Sequence, residues 1–337
     1  MNILLSICIL SYNRTNELER LLKSIDSKKI DEIEIIVKED CAPNRDKVRS
    51  IVRRYADSSS YITKYIENSS NFGYDKNLRT IAKEANGKWV MFMGDDDIFF
   101  PDAIDKFIDF LDENKHIAYV LRRYRNIYKD GRTEEYRYSK KNEYFNSGEQ
   151  AIVELFRRSV FISGFTFKKE CFSDYDCLKY DGTLLFQLYI LSKICLNYPS
   201  AYCDILITQC IEGGIPYFGN SKAEKDLYTS GTNSIENSLN FLRQVKYLTE
   251  NFDKDNNTNI TEKVLKSYSK YSYGFLHEHI DDGIPVFKKY AKEIKKMGMG
   301  DSVYFSIYYW MLIILGKKKS RYLIAGIKRI VGKTPRL

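Results

Sequence analysis

Three consecutive acidic residues, Asp95, Asp96 and Asp97, follow an apolar run and precede the sequence Ile-Phe-Phe-Pro. Adjacent carboxylates repel one another, so a chain that places three of them at the end of a buried strand usually offers them a cation. Hard divalent cations such as Mg²⁺ and Mn²⁺ prefer oxygen ligands and often hold a phosphate in turn. The triplet therefore indicates a metal-phosphate site. The alternative is that one Asp caps the following helix and the others are solvated.

The segments around the triplet predict how it is positioned. Short, nearly continuous apolar runs at 3–10, 33–37, 61–66 and 88–93 are typical of parallel strands buried on both faces. Segments with apolar residues at helical spacing separate these runs. The alternation predicts an α/β fold with a mostly parallel sheet flanked by helices, in which ligands bind beyond the carboxyl ends of the strands.

Polar residues follow each of the four predicted strands. They are Ser11, Tyr12, Asn13 and Arg14 after the first, Glu39 and Asp40 after the second, the loop 68–74 after the third and the acidic triplet after the fourth. Because the carboxyl ends of parallel strands meet at one edge of a sheet, we expect these loops to converge there.

The rest of the chain changes character near residue 221. Before that point the sequence predicts strands at 117–121, 161–167 and 201–208, exposed antiparallel strands within 122–145, and a helix from Leu184. From Ser221 the apolar spacing is helical only. We therefore divide the chain into a domain over 1–220, a helical extension over 221–300 and a basic tail over 301–337.

The net charge of +8 is local rather than general. The chain has 53 Lys and Arg against 45 Asp and Glu, and the whole excess lies in residues 316–337, which contain no acid. A nucleic-acid-binding protein more often carries a basic stripe on its folded face. The distribution therefore argues against a nucleic-acid partner.

The tail combines this charge with an apolar run at 303–315, which is shorter than the ~20 residues of a membrane-spanning helix. Lys317, Lys318 and Lys319 follow it directly. Aromatic and aliphatic residues next to lysines predict a peripheral anchor on an anionic membrane surface. A core helix with a solvated tail is the alternative.

The seven cysteines include no Cys-x-x-Cys pair, and their odd number is typical of reduced thiols in a cytoplasmic protein. The first ten residues have no positively charged leader and no small-residue cleavage site. They predict a buried strand rather than a signal peptide.

Four separated stretches resemble, in the same order, the inverting glycosyltransferases with the GT-A fold that are often called family two. The resemblance covers residues 3–210. Ser6–Arg14 is similar to the first strand and Tyr-Asn loop of that family, Glu34–Asp40 to its second strand and acidic pair, Asn71–Asn77 to its Asn-x-Gly loop, and the triplet to its metal-binding Asp-x-Asp.

The resemblance implies a nucleotide-binding half over 1–115 and an acceptor half over 116–220. It implies a Mn²⁺ or Mg²⁺ ion held by Asp96, Asp97 and Asp95, with Asp96 as the main ligand. The implied contacts to the donor nucleotide come from Ser11, Tyr12, Asn13, Arg14, Glu39, Asp40, Asn71, Gly73, Asn77 and Asp95.

The chain departs from the family pattern at three places, one of which is Cys41, Ala42 and Pro43, where the family has small residues. Gly94 stands where alignment on Pro101 puts the first Asp of the metal motif, and Glu39 stands where Asp is more common.

Tyr180 and Asp181 occupy the place of the family's Glu-Asp pair, which implies that Asp181 is the catalytic base. A base is needed because the acceptor hydroxyl loses its proton as it attacks the anomeric carbon. The alternative role of Asp181 is an N-cap for the next helix.

The implied partners are a UDP-, GDP-, CDP- or dTDP-linked sugar and a lipid-linked glycan of bacterial capsule or lipopolysaccharide O-antigen, with the protein peripheral on the inner face of the membrane. Residues 161–167 and 217–221 also resemble the branch that transfers dideoxyhexoses such as abequose or colitose. A nucleotidyl- or phosphotransferase with the same carboxylates, and a non-catalytic scaffold with this fold, are the alternatives. The absence of a Gly-x-x-x-x-Gly-Lys loop and of a dinucleotide fingerprint disfavours a kinase, an ATPase or a dehydrogenase.

Overall fold

The structure, a computed structural model, describes residues 3–331. Its strands are β1 (Leu5–Ser11), β2 (Ile33–Glu39), β3 (Ile62–Glu67), β4 (Trp89–Gly94), β5 (Ile98–Phe99), β6 (Tyr119–Ile127), β7 (Thr133–Tyr136), β8 (Glu143–Phe145), β9 (Phe165–Lys168) and β10 (Ser200–Ile211). Its α-helices are α1 (Thr15–Lys23), α2 (Arg45–Ser58), α3 (Tyr74–Glu84), α4 (Ala103–Glu113), α5 (Glu149–Leu155), α6 (Phe186–Asn197), α7 (Ile235–Asn256), α8 (Thr261–Lys270), α9 (Tyr273–His279), α10 (Ile284–Lys296) and α11 (Val303–Val331).

A single mixed sheet has the strand order β3-β2-β1-β4-β9-β6-β10-β5. The first four strands are parallel to one another, with Ile7 of β1 paired to Ile35 of β2 and to Met91 of β4. Strand β9 is antiparallel to both β4 and β6, and β7 and β8 pair antiparallel to β6 and β10. The predicted α/β architecture with a mostly parallel sheet flanked by helices is confirmed, and the antiparallel pairs are those of β5, β7, β8 and β9.

Two hydrophobic layers cover the sheet because successive strand residues point to opposite faces. Ile7 packs with α1, α2 and α4 on one face, and Cys8 packs with α3, α5 and α6 on the other. The second layer continues into the helical extension, where Leu242, Phe252 and Phe287 belong to the same buried cluster. The extension therefore lies against the sheet domain and can contribute to a site on it.

The last helix, α11, is broken at Gly316, whose φ of +71° is not helical. Phe305, Tyr308 and Leu312 are buried against the extension, whereas Trp310 is 56% exposed. Within residues 3–331, no helix combines the length and apolar character needed to cross a bilayer. The predicted tail covers 301–337, and its last residues, 332–337, lie outside the described residues.

Two segments differ from the sequence-based prediction. The strand expected at 161–167 is shorter, because 160–162 are irregular and 163–164 form a turn before β9 begins at Phe165. The helix expected from Leu184 begins at Phe186, since Leu184 has a φ of +65° that interrupts helical geometry. The backbone N–H groups of Leu184 and Phe186 instead donate to the buried carboxylate of Asp75.

Candidate active site

A cavity of about 750 Å³ lies beyond the carboxyl ends of β1, β2 and β4. One side, the strand-end wall, consists of Ser11, Tyr12, Arg14, Asp40, Asn71, Gly73, Asn77, Gly94, Asp95 and Asp96. The opposite side, the extension wall, consists of Asn237, Ser238 and Phe241 on α7 and Phe275, Glu278 and His279 on α9. The predicted convergence of the strand-end loops is thus observed. Four predicted site residues, Asn13, Glu39, Asp97 and Asp181, are not in the lining.

The three acids of the triplet have different surroundings. Asp95 is 2% exposed and accepts hydrogen bonds from the Tyr12 backbone N–H at 3.0 Å and from Arg14 Nη1 at 2.9 Å. Burial raises the pKa of Asp95 to about 7, while the charge of Arg14 acts to lower it. The side chain of Asp96 is 27% exposed, and its Oδ2 lies 3.2 Å from Arg14 Nη2. Asp96 therefore presents a carboxylate to the cavity.

Asp97 points away from the cavity. Its carboxylate accepts a hydrogen bond from the Ser163 hydroxyl, and the residue is 3% exposed. Burial and the neighbouring charge of Asp96 raise the pKa of Asp97 to about 7. The Ser163 hydroxyl also accepts from the Gly94 backbone N–H at 3.0 Å. Asp97 thus helps to fix the turn that presents Asp96, and its predicted metal contact stays a prediction.

The buried side chain of Arg122 holds Ser163 in place through hydrogen bonds to its backbone carbonyl. Arg122 is 0% exposed, and its Nε donates to the Ser163 carbonyl at 2.9 Å while Nη2 donates to the carbonyls of Phe161 and Ser163 at 2.6 Å. Burial lowers the pKa of Arg122. These contacts fix the segment 160–164, which places Phe161 in the cavity lining.

A loop from the second half of the chain covers the triplet. Arg14 Nη2 donates to the Ile215 carbonyl, and its guanidinium lies 5.2 Å from the centre of the Tyr217 ring. The Tyr217 ring meets Tyr12 edge-on at 5.5 Å. The loop runs so close that a Cβ on Gly214 would lie 2.7 Å from Asp96 Oδ2. Arg14 therefore links the acids to this covering loop.

The acidic pair after β2 is divided between two roles. Glu39 is fully buried and accepts hydrogen bonds from the Cys41 backbone N–H at 3.0 Å and from Arg45 Nη2 at 3.1 Å. Asp40 lines the cavity and accepts from the backbone N–H groups of Phe72 at 2.7 Å and Gly73 at 3.0 Å. Burial raises the pKa of Asp40, and these hydrogen bonds oppose the rise. Glu39 therefore stabilises its own loop, whereas Asp40 shapes the cavity.

Glu224, which the sequence did not single out, joins the two sides of the cavity floor. It is 3% exposed and accepts from the backbone N–H groups of Tyr74 at 2.6 Å and Gly219 at 2.9 Å. Gly73 has a φ of +77°, and a Cβ there would lie 2.6 Å from Glu224 Oε1. The predicted Asn-x-Gly loop thus needs its glycine both for backbone geometry and for close approach.

Asp181 forms a two-point ion pair within the protein. Its Oδ2 accepts from Arg79 Nη2 at 2.7 Å and its Oδ1 from Arg79 Nε at 3.1 Å, and its side chain is 22% exposed. Leu184, three residues later, is the part of this loop that lines the cavity. Asp181 does not cap α6, which begins at Phe186 with Leu185 as its N-cap. The alternative role as an N-cap is therefore wrong, and the catalytic role stays a prediction.

Few side chains in the cavity could serve as ligands for a metal ion. Among residues 3–331, no group of three or more His, Cys, Asp and Glu side chains is arranged to hold a metal ion. Asp96 is suited to a hard cation because its carboxylate reaches the cavity and, among the residues that the structure describes, is paired only with Arg14. The rest of the coordination shell would come from Asp95, water and the phosphates of a ligand, as is common for Mg²⁺.

Comparison with known proteins gives consistent matches. Residues 6–173 match the sequence profile of the family described as Glycosyl transferase family 2. An "Uncharacterized glycosyltransferase" of Haemophilus influenzae is 31% identical over 117 residues, which are 35% of this chain and 37% of that protein. Abequosyltransferase RfbV of Salmonella typhimurium is 28% identical over 114 residues, which are 34% of each protein. The chain thus spans little more than a third of the length of these two relatives.

The similarity to solved structures covers more of this chain than the two sequence relatives do, at a lower sequence identity. The structure of S. aureus TarS 1-349 in complex with UDP is similar over 98% of this chain and 92% of that chain, with a TM-score of 0.61 and 13% identity. At that identity the likeness shows the fold alone, and it confirms the predicted GT-A fold. Through residues 6–173, this chain belongs to glycosyl transferase family 2.

Proposed function

We propose that this chain is an inverting glycosyltransferase that moves a sugar from a nucleoside-diphosphate donor to a hydroxyl of an acceptor glycan. The observation that carries the proposal is the position of Asp96, whose carboxylate reaches the cavity at the carboxyl edge of the sheet. Ligands of open α/β sheets bind at this edge. Membership of the family and the names of the relatives support the same reaction class.

The strand-end wall is the proposed donor site. Asp40 and Asn71 lie on the side where β2 and β3 end, which suits the nucleoside, and Tyr12 lies between them and the acids. Arg14 and Asp96 lie together at 3.2 Å, which suits the diphosphate. UDP is the nucleotide in the TarS complex. UDP-, GDP-, CDP- and dTDP-linked sugars are all retained as candidate donors.

Asp96, with Asp95 behind it, is the proposed site for Mn²⁺ or Mg²⁺. When bound, such a cation would neutralise the negative charge that develops on the departing diphosphate. Arg14 already spans both carboxylates, at 2.9 Å from Asp95 and 3.2 Å from Asp96. Its guanidinium can turn from the acids to the diphosphate oxygens, which arginine binds through two parallel hydrogen bonds.

The proposed step is a single displacement. The acceptor oxygen forms a bond to the anomeric carbon from the face opposite the diphosphate, the bond from that carbon to the diphosphate oxygen breaks, and the configuration inverts. The hydroxyl proton passes to a carboxylate, for which Asp181 stays the proposed base. Because Asp181 is paired with Arg79, this role requires its carboxylate to turn from Arg79 towards the cavity that Leu184 lines.

A panel of UDP-, GDP-, CDP- and dTDP-sugars, each with and without Mn²⁺, tests the donor class. We expect one nucleotide to raise the melting temperature most in the presence of Mn²⁺, and its sugar conjugate to be hydrolysed slowly or transferred. A chain that binds and turns over none of them would be a scaffold. Transfer of a nucleotidyl or phosphoryl group instead of the sugar would identify the other class of enzyme.

A lipid-linked glycan of bacterial surface polysaccharide, either capsule or lipopolysaccharide O-antigen, is the proposed acceptor class. The name of the Salmonella typhimurium relative, an abequosyltransferase, supports a polysaccharide role. The first half of α11 supports the lipid carrier, because Val303, Ile307, Trp310 and Ile314 recur at helical spacing and are all more than half exposed. Lys318 and Lys319, just beyond the break, are exposed as well. We propose that this surface binds the anionic inner face of the cytoplasmic membrane.

Tryptophan fluorescence tests the membrane surface. Trp89 is 2% exposed in β4, so a Trp89→Phe variant leaves Trp310 as the only reporter. We expect its emission to shift to the blue with vesicles containing 30% phosphatidylglycerol and to stay unchanged with pure phosphatidylcholine. Lys318→Ala and Lys319→Ala should each weaken binding about fivefold, since a lysine near an anionic surface contributes about 1 kcal/mol. Equal emission with both kinds of vesicle would exclude this surface.

A further inference from the structure

The two walls of the cavity differ in charge. Of the described residues that line it, Arg14 is the only lysine or arginine, and it belongs to the strand-end wall. That wall also holds Asp40, Asp95 and Asp96. The extension wall has Phe241 and Phe275, the polar side chains of Asn237, Ser238 and His279, and one acid, Glu278. A diphosphate therefore finds its one basic side chain, Arg14, on the strand-end wall, whereas the extension wall offers no lysine or arginine and is suited to an uncharged ligand.

The extension wall is built from one face of each of two helices. Ser238 and Phe241 are three residues apart on α7, and Phe275 and His279 are four apart on α9, so each pair lies on one side of its helix. The Ser238 hydroxyl is 2.6 Å from the Tyr290 hydroxyl, and His279 Nδ1 is 2.8 Å from Asp282. These contacts hold the wall in place, as a preformed ligand pocket requires.

Gln187 on α6 gives an independent indication of a ligand. It is 2% exposed, it lines the cavity, and its Oε1 has no hydrogen-bond partner among the described residues. Its Nε2 donates to the Val160 carbonyl at 3.3 Å, which fixes the orientation of the amide. A buried acceptor without a donor is costly, so a hydroxyl or N–H group of a ligand would complete it.

We propose that the extension wall and Gln187 form the subsite for an uncharged sugar ring of the acceptor. The ring lies against Phe241 or Phe275 through its C–H groups, and one of its hydroxyls donates to Gln187 Oε1. Pockets for such ligands combine aromatic lining with a few fixed polar groups. The subsite deepens the proposed function and rests on it, since the cavity holds donor and acceptor side by side.

The position of α9 gives the direction from which the acceptor enters. Glu278 lines the cavity, and its backbone carbonyl accepts a hydrogen bond from Lys317 Nζ at 3.2 Å. Lys317 also lies 3.6 Å from Asp281. A single turn of α9 thus separates the sugar subsite from the basic break in α11. A glycan whose lipid end lies at α11 reaches the subsite past α9.

Saturation-transfer NMR with methyl glycosides of glucose, galactose, mannose, rhamnose and N-acetylglucosamine tests the subsite directly. The protein is first loaded with the nucleotide that raises its melting temperature most. We expect at least one glycoside to bind. Gln187→Met should weaken that binding about tenfold, because it removes the hydrogen-bond acceptor and keeps the volume. Phe275→Leu should weaken it about fivefold, because it removes the flat ring and keeps the apolar contact.

The matched control is Tyr247→Leu, an aromatic substitution on α7 at a residue that is 40% exposed and outside the cavity lining. It should leave glycoside binding unchanged. All variants should keep the nucleotide-induced rise in melting temperature. The subsite is overturned if no glycoside binds the nucleotide-loaded protein, or if folded Gln187→Met and Phe275→Leu variants bind as the wild type does. Failure of the wild type to bind any nucleotide would instead count against the proposed function.

Discussion

The strand-end wall and the extension wall face the same cavity and are built by different means. On the strand-end wall the polar groups are fixed by backbone hydrogen bonds, as in Asp40, which accepts from Phe72 and Gly73, and Asp95, which accepts from Tyr12. On the extension wall, helix faces present Phe241 and Phe275, and hydrogen bonds such as Ser238 to Tyr290 only position the helices. The strand-end wall is therefore suited to binding charged groups, and the extension wall to recognising a ligand by its shape.

This difference separates two kinds of recognition within one site. Charged groups of a donor need counter-charges and dipoles that do not reorganise, which the ends of buried strands provide. An uncharged sugar is selected by contact area and a few hydrogen bonds, which helix side chains can supply without changing the sheet. Substitutions on the two walls should therefore affect different steps.

The largest effect is expected from Asp96→Ala on the strand-end wall. It removes the carboxylate that reaches the cavity, so turnover of the preferred sugar nucleotide should fall about 10³-fold through lost stabilisation of the leaving diphosphate. Rates with saturating Mn²⁺ measure this. Asp112→Ala, an exposed acid on α4 outside the lining, is the control and should keep full activity. Turnover that survives Asp96→Ala would remove the basis of the proposed donor site.

Asp181→Asn should lower transfer about 10²-fold if Asp181 is the base, because an amide cannot accept the hydroxyl proton. Nucleotide binding, followed by melting temperature, should not change. Asp176→Asn makes the same chemical change at an exposed acid paired with Lys83 and is the matched control. Loss of stability with retained transfer would show instead that the pair with Arg79 is a structural brace.

Gly73→Ala should weaken nucleotide binding about tenfold. The new Cβ would lie 2.3 Å from Ser221 Oγ and 2.6 Å from Glu224 Oε1, and the φ of +77° is strained for alanine by about 1 kcal/mol or more. Isothermal titration with the preferred nucleotide measures the change. Gly131→Ala shares a positive φ of +79° but meets open space, so it separates backbone strain from crowding. Equal binding by wild type and Gly73→Ala would mean that this loop does not contact the nucleotide.

The smallest effect is expected from Phe241→Leu on the extension wall. It should raise the acceptor KM about threefold through lost ring contact and leave the donor KM unchanged, the reverse of the pattern for Gly73→Ala. Steady-state kinetics with each substrate varied in turn measures both constants. A change in the donor KM alone would show that the two walls do not divide the substrates in this way.

The sequence by itself determined the first half of the fold and the strand-end wall. Buried parallel strands require continuous apolar runs, and the runs before Ser11, Asp40 and Asp95 are unmistakable for that reason. Topology then brings their carboxyl ends to one edge whatever the side chains are. The helical extension followed from spacing in the same way.

Only the tertiary structure decided which polar side chains reach the cavity. Asp97 turns to Ser163, 66 residues away, and Asp181 turns to Arg79, 102 residues away. Glu39 closes its own loop with Arg45. The partners of Asp97 and Asp181 are set by how distant segments pack, and local periodicity carries no information about them.

The extension wall could not be predicted from the sequence, for a related reason. Helical spacing shows that a helix has an apolar face, as with Leu242 and Val245 of α7. It does not show which other elements that face, or the face next to it, will contact. The cavity exists because α7 and α9 lie opposite the ends of β1, β2 and β4, which are more than a hundred residues earlier in the chain. The sequence therefore predicted the position of the charged strand-end wall, and only packing revealed the extension wall opposite it.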